Sequence, residues 1–137
     1  MSAPGRRSRH RQFVDASAKG VLVVGPGAAR VRARRAHRWI ERLVGLVAQP
    51  LPPTGSALWI EPCRAVHTFG VRGPLDLVFV ARSGAVLRVC ENVGPGRMRG
   101  ALHARAVLEL RAGEANRLRL QPGAVVRWIV DTKKGDQ

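Results

Sequence analysis

The side chains whose types and order suggest chemistry fall between positions 63 and 109: a thiol at Cys63, an imidazole at His67, a hydroxyl at Thr68, and carboxylates at Asp76 and Glu109. His67 with either carboxylate would make an acid and base pair, or, together with Thr68 and Phe69, the lining of a pocket for a polar ligand. Cys63 precedes His67 by four residues. A Cys and His in contact would support a hydrolase or transferase working through a thiolate, but contact is a property of the fold and not of spacing. Each residue also has a structural reading. Asp76 interrupts the apolar run Pro74–Val80, so its carboxylate must find donors, either main-chain N–H groups or an arginine such as Arg72 or Arg105. Glu109 alternates with Leu108 and Leu110 and is expected to point out of its strand. Strand alternation and the frequency of structural ion pairs favour this second reading.

Other chemistries lack their signatures. Gly25-Pro26-Gly27 is not followed by the Lys and Ser or Thr of a phosphate-cradling loop. The histidines, at 10, 37, 67 and 103, share no metal-ligand spacing, and Cys63 and Cys90 form no close pair. No metal and no cofactor is expected, and the two cysteines read as buried, reduced thiols.

A second candidate surface is cationic. The net charge is +15, and residues 1–42 hold 11 Lys or Arg against Asp15 and Glu41, a net of +9 from about a third of the chain. Arginine is partly compositional in a sequence this rich in Ala, Gly and Val, but the shortage of acids is not. Arg34, Arg35, Arg38 and Arg42 read as a stripe on one helix face, suited to the phosphates of a nucleic acid or another polyanion. Any such binding would address the backbone, because the aromatics sit mostly at core positions.

These groups must be positioned by a domain with one core, the default for 137 residues. Residues 1–19 read as a disordered basic tail, 20–130 as one globular β-rich domain and 131–137 as a flexible C-terminal tail. Val21–Val24 is strand-like. Ala36, Trp39, Ile40, Leu43, Val44 and Val47 recur at helical spacing, which predicts an amphipathic helix over Arg35–Val47, ended by the prolines of Gln49–Gly55. From Ala57 the pattern becomes that of strands: ALWI, AVHTF, LDLVFV, AVLRVC, RAVLEL and VVRWIV, separated by turn residues. Arg82-Ser83-Gly84 predicts an antiparallel hairpin, Glu91–Gly100 a long mobile loop, and Glu114–Leu120 one or two helical turns. The fold class expected is mainly β (α+β), a small antiparallel β-sandwich or partly closed barrel with one amphipathic helix packed on it. No apolar run is long enough to span a bilayer. A monomer in the cytoplasm is expected.

One family shares this arrangement of residues. His67-Thr68-Phe69, Pro74-Leu75-Asp76, Leu108-Glu109-Leu110, Gly113 and Pro122-Gly123 occur in order, and over roughly residues 31–128 the chain resembles the bacterial family catalogued as domain of unknown function 192. Val71 stands where that family usually has Met, and Ala124 where an acidic residue is common. The resemblance implies a compact, mostly antiparallel β-fold with a helix, and no established activity. Three functions follow as expectations. The first is a non-enzymatic binding or accessory domain, holding a small polar ligand or protein partner near the His67–Asp76 strand edge. The second is nonspecific binding of nucleic acid or another polyanion through the basic N-terminal third. The third is a hydrolase or transferase using His67 with Asp76 or Cys63.

Overall fold

A computed structural model describes residues 19–25, 29–36 and 51–130. The chain order is β1 (Lys19–Val24), β2 (Ala29–Ala36), β3 (Ser56–Ile60), β4 (Ala65–His67), β5 (Leu75–Val80), β6 (Val86–Val93), β7 (Met98–Gly100), β8 (Ala106–Arg111), the short helix α1 (Glu114–Arg117) and β9 (Val126–Val130). The fold is mainly β with a helix packed on it. Seven strands form one sheet in the order β6-β5-β8-β3-β2-β1-β9, and β4 pairs with β7 in a second, two-stranded sheet.

Every pairing is antiparallel except β2 with β3, which run parallel. The two edges of the large sheet meet at one end, where Ala85 bridges Val125 and the N–H of Val126 donates to Gly84 O at 2.8 Å. The N–H of Val86 likewise donates to Ala124 O at 2.8 Å. The sheet is therefore curled into a partly closed barrel. Gly84 at this seam has φ 91° and lies so close to Val126 O that a Cβ would sit 2.6 Å from it, which reserves the position for glycine.

Strand alternation then sorts the side chains. Leu22, Val24, Val31, Ala33, Trp59, Val78, Val80, Leu108, Leu110 and Val126 point into the barrel, and Ala115, Leu118 and Leu120 of α1 and the turn after it join that core. The outer face of β3, β8, β5 and β6 carries a second core of Leu58, Ile60, Leu75, Leu77, Phe79, Cys90 and Val107, covered by Cys63, Val66 and Ala104. Both faces of β5 and β8 are thus buried, and each fully buried Leu, Val or Phe contributes about 1.5–3 kcal/mol. The outer face of β2, β1 and β9 has no such cover among the described residues. Arg30, Arg32 and Arg34 are exposed there.

Some expectations change. Arg34, Arg35 and Ala36 belong to β2 rather than to the start of a helix; the rest of the expected helix, with Arg38 and Arg42, lies outside the described residues. The physical reason is periodicity: Arg30-Val31-Arg32-Ala33-Arg34 alternates with period two, so pairing with β1 and β3 buries Val31 and Ala33 and leaves the arginines in water. The expected tails at 1–19 and 131–137 also lie outside the described residues, except that β1 begins at Lys19. The hairpin at Arg82-Ser83-Gly84 and the turn of helix at Glu114 are present. The loop Glu91–Gly100 is not free, since β6 runs to Val93 and β7 begins at Met98. No described helix is long and apolar enough to cross a membrane.

Candidate functional site

Asp76 is wholly buried on β5, where β6 bulges opposite it: Leu75 pairs with Val93 and Leu77 with Cys90, leaving two residues of β6 facing one of β5. One carboxylate oxygen, Oδ1, accepts the N–H of Asn92 in that bulge at 2.8 Å. The other, Oδ2, accepts the N–H groups of Gly113 at 2.9 Å and Ala115 at 3.0 Å. Gly113 is the N-cap of α1, has φ 96° and carries no capping side chain. Asp76 therefore caps the helix from another strand, satisfying donors that the helix start would otherwise bury unpaired. Of the structural partners weighed for Asp76, main-chain N–H groups are the ones found.

Glu109 departs from expectation. It is buried, opposite Leu58 on β3 and Leu77 on β5, because β8 is a central strand covered on both sides. Alternation put it on the outer face correctly; the second layer over that face was not visible in the pattern.

Thr68, also wholly buried, is a staple. Its hydroxyl donates to Gly94 O at 2.7 Å and accepts the N–H of Arg97 at 2.8 Å, while its main chain pairs with Arg97 O and Gly96 N. Segment 94–97 is thereby held against residues 68–71. The outer side of the β4–β7 sheet follows from this. His67 lies directly opposite Met98, so both project on one side. Phe69 packs its ring 5.4 Å from that of His67 and lies over Gly96. Phe69 is 55% exposed and Met98 67% exposed. The Nδ1 of His67 is buried with no hydrogen-bond partner among the described residues. Neither Asp76 nor Cys63 is therefore bonded to that nitrogen, and the Cys63 thiol donates to Ala65 O at 3.1 Å. Cys63 and Cys90 are buried thiols, as the sequence suggests. Val71 packs against the outer core, beside the staple.

A third cluster was not foreseen. At one end of the barrel, Glu61 accepts the Trp59 indole N–H at 2.8 Å and Arg35 at 2.9 Å on Oε2, with Arg105 at 3.4 Å on Oε1. The Arg35 guanidinium also lies 5.3 Å above the Trp128 ring, which packs 6.2 Å from Trp59 and covers Gly20. Burial pushes the Glu61 carboxyl up, but the Trp59 N–H and the two guanidiniums outweigh it and hold the group below its ordinary value. The Arg117 guanidinium, aided by the Gly55 N–H and opposed by burial, likewise holds Glu114 down. Both are structural arrangements joining separate strands and turns. Among the described residues no group of three or more His, Cys, Asp or Glu is placed to hold a metal.

With this geometry in hand, comparison with known proteins places the chain. The profile of domain of unknown function 192, described as an uncharacterised ACR, matches residues 21–128. The chain belongs to this family. No curated protein matches it. Two crystal structures share the fold. One is a protein of unknown function from Novosphingobium aromaticivorans, with 24% identity, TM-score 0.67, covering 79% of this chain and 84% of that one. The other is a proposed transcription regulator from Sinorhizobium meliloti, with 20% identity, TM-score 0.71, covering 82% of this chain and 95% of that one. At these identities the likeness is one of fold, and the family's own function is uncharacterised.

Proposed function

We propose that this chain is a binding module, not a catalyst, and that it docks an acidic, partly apolar segment of a protein partner on the outer side of β4 and β7. The observation that carries this reading is the pair Phe69 and Met98, large apolar side chains held in water beside the unpaired Nδ1 of His67 by a turn that Thr68 rigidifies. Order maintained at an apolar surface lowers the entropy lost on binding. Charge selects the partner. Arg64, Arg72 and Arg97 flank this surface in the chain, are exposed, and form no ion pair with a described residue. Arg88 and Arg99 reach its carbonyls, donating to Gly100 O and Met98 O. Complementarity of this kind favours a negatively charged partner. Asp76, one of the groups considered for catalysis, has its carboxylate committed to main-chain N–H groups and out of solvent's reach.

The test is an amide-shift titration of isotope-labelled protein with a peptide of alternating Glu and Leu, and with a Gln-for-Glu control. Shifts confined to residues 64–71 and 96–100, absent in Phe69→Ser/Met98→Ser and weaker with the control peptide, are expected. Shifts elsewhere, or none, would remove the proposal.

A further inference from the structure

The outer surface of the barrel is divided in two. The half over β3, β8, β5 and β6 is apolar and covered by the second layer. The half over β2, β1 and β9 has no covering layer among the described residues, and its chemistry is uniform. Arg30, Arg32 and Arg34 occupy alternate positions of β2 and are all exposed. Across β1, Val23 lies between Arg30 and Arg127 of β9, and Val21 lies between Arg32 and Ile129. Residues directly opposite in adjacent strands share a face, so four arginines stand on one side of three neighbouring strands with a half-buried valine floor between them. The segments KGVLVV, ARVRARRA and VRWIV contain no Asp or Glu.

Arg35 sharpens the contrast. It faces the barrel interior, where it has Glu61 as ion-pair partner and Trp128 beneath it. The guanidiniums of Arg30, Arg32, Arg34 and Arg127 make no ion pair or hydrogen bond with any described residue. Four guanidiniums held at fixed spacing without a counter-charge destabilise one another unless an anion sits over them. Guanidinium donors match phosphate oxygens in a bidentate fork.

We propose that this face binds the phosphate backbone of double-stranded nucleic acid, with Arg30, Arg32, Arg34 and Arg127 as the phosphate contacts. The spacing supports it: alternate residues of a strand lie about 6.6–6.8 Å apart, comparable with the separation of consecutive phosphates on one duplex strand, which exceeds the axial rise of about 3.4 Å because the backbone also winds round the axis. The side-chain inventory favours a duplex over a single strand. Non-specific single-strand binders stack bases on aromatic side chains, and the uncharged side chains among the described residues of this face, Val21, Val23, Val125 and Ile129, include no aromatic. Contacts of this sort position a protein on the duplex and carry little sequence information. The face is separate from the β4–β7 docking surface, so the two proposals stand or fall independently.

The experiment is fluorescence anisotropy on the full chain with a dye-labelled duplex of mixed sequence, its single strand as control, over a salt series from about 50 to 200 mM. Each arginine on a phosphate contributes about 0.9 to the slope of log affinity against log salt, so the four give a slope near −3.6 and a loss of roughly 150-fold over that range. Arg30→Gln/Arg32→Gln/Arg34→Gln should flatten the slope by about 2.7, and Arg127→Gln by about 0.9. The corresponding Lys variants should keep it. Arg127→Gln lies on another strand and serves if the triple variant does not fold as judged by circular dichroism. An unchanged slope in the Gln variants overturns the proposal, as does single-strand affinity equal to or above that of the duplex. Binding to anionic lipid vesicles that excess duplex does not displace also overturns it. Loss of duplex binding in Phe69→Ser/Met98→Ser would show instead that the β4–β7 surface carries it.

Discussion

Replacing Asp76 with Asn keeps the size of the side chain and removes half of its accepting capacity, and the structure says how much that should matter. The carboxylate receives three main-chain N–H groups, one on Oδ1 and two on Oδ2. If the Asn carbonyl takes the position of Oδ2, the bonds from Gly113 and Ala115 survive as neutral ones, each weaker by about 1 kcal/mol. The amide nitrogen then faces the N–H of Asn92, donor against donor, at a further cost of about 1–3 kcal/mol. The sum is about 3–5 kcal/mol, against a total stability of about 5–15 kcal/mol for an ordinary domain. In urea, with a slope of about 1–3 kcal/mol per M, the midpoint should fall by roughly 2 M. Amide exchange should speed up first at Asn92, Gly113 and Ala115. Were Asp76 instead a ligand-binding group held at the expense of stability, the Asn variant would be neutral or more stable. A midpoint drop under about 0.5 M with unchanged exchange would refute the capping argument.

Thr68→Val, nearly the same shape, deletes the hydroxyl bonds to Gly94 O and from Arg97 N–H; it should cost about 1–2 kcal/mol in thermal or urea unfolding and speed limited proteolysis within 94–97. Equal protease sensitivity would show that the staple is not what orders that segment. Stability should fall in acid: Glu61 and Glu114 are held below the ordinary Glu value of 4.5, so the unfolded chain binds more protons there, and the stability they provide is present above that pH and lost as pH drops through their folded values. Glu61→Gln should flatten the acid limb of a stability-against-pH profile, and an unaltered limb would remove Glu61 from the cause.

How much was legible depended on whether the deciding contact was local. The runs of β-branched and apolar residues from Ala57 onward, the Arg82-Ser83-Gly84 turn and the helical turn after Gly113 depend on neighbours in the chain, and all appear where the pattern puts them. The need for Asp76 to be satisfied was equally legible, since a carboxylate in an apolar run has few alternatives. Its partners were not, because Asn92, Gly113 and Ala115 stand 16, 37 and 39 residues away.

The arginine face shows the limit most directly. Arg30-Val31-Arg32-Ala33-Arg34 carried a period-two signal, yet Arg34, Arg35, Arg38 and Arg42 also fit a helix of period 3.6, and the competing readings share residues. Pairing of β2 with β1 on one side and, in parallel, with β3 on the other decided the matter for Arg34 and Arg35. Sequence by itself determined the β-rich class, the family and which strand positions are apolar, because these follow from residue type and spacing. Only the tertiary structure decided that Glu109 is covered, that Thr68 pins residues 94–97, and that Arg30, Arg32, Arg34 and Arg127 share one exposed side of the barrel with no ion-pair partner among the described residues. Each of these depends on which strands curl next to which, and that choice is made by summed burial over the whole sheet rather than by any one segment.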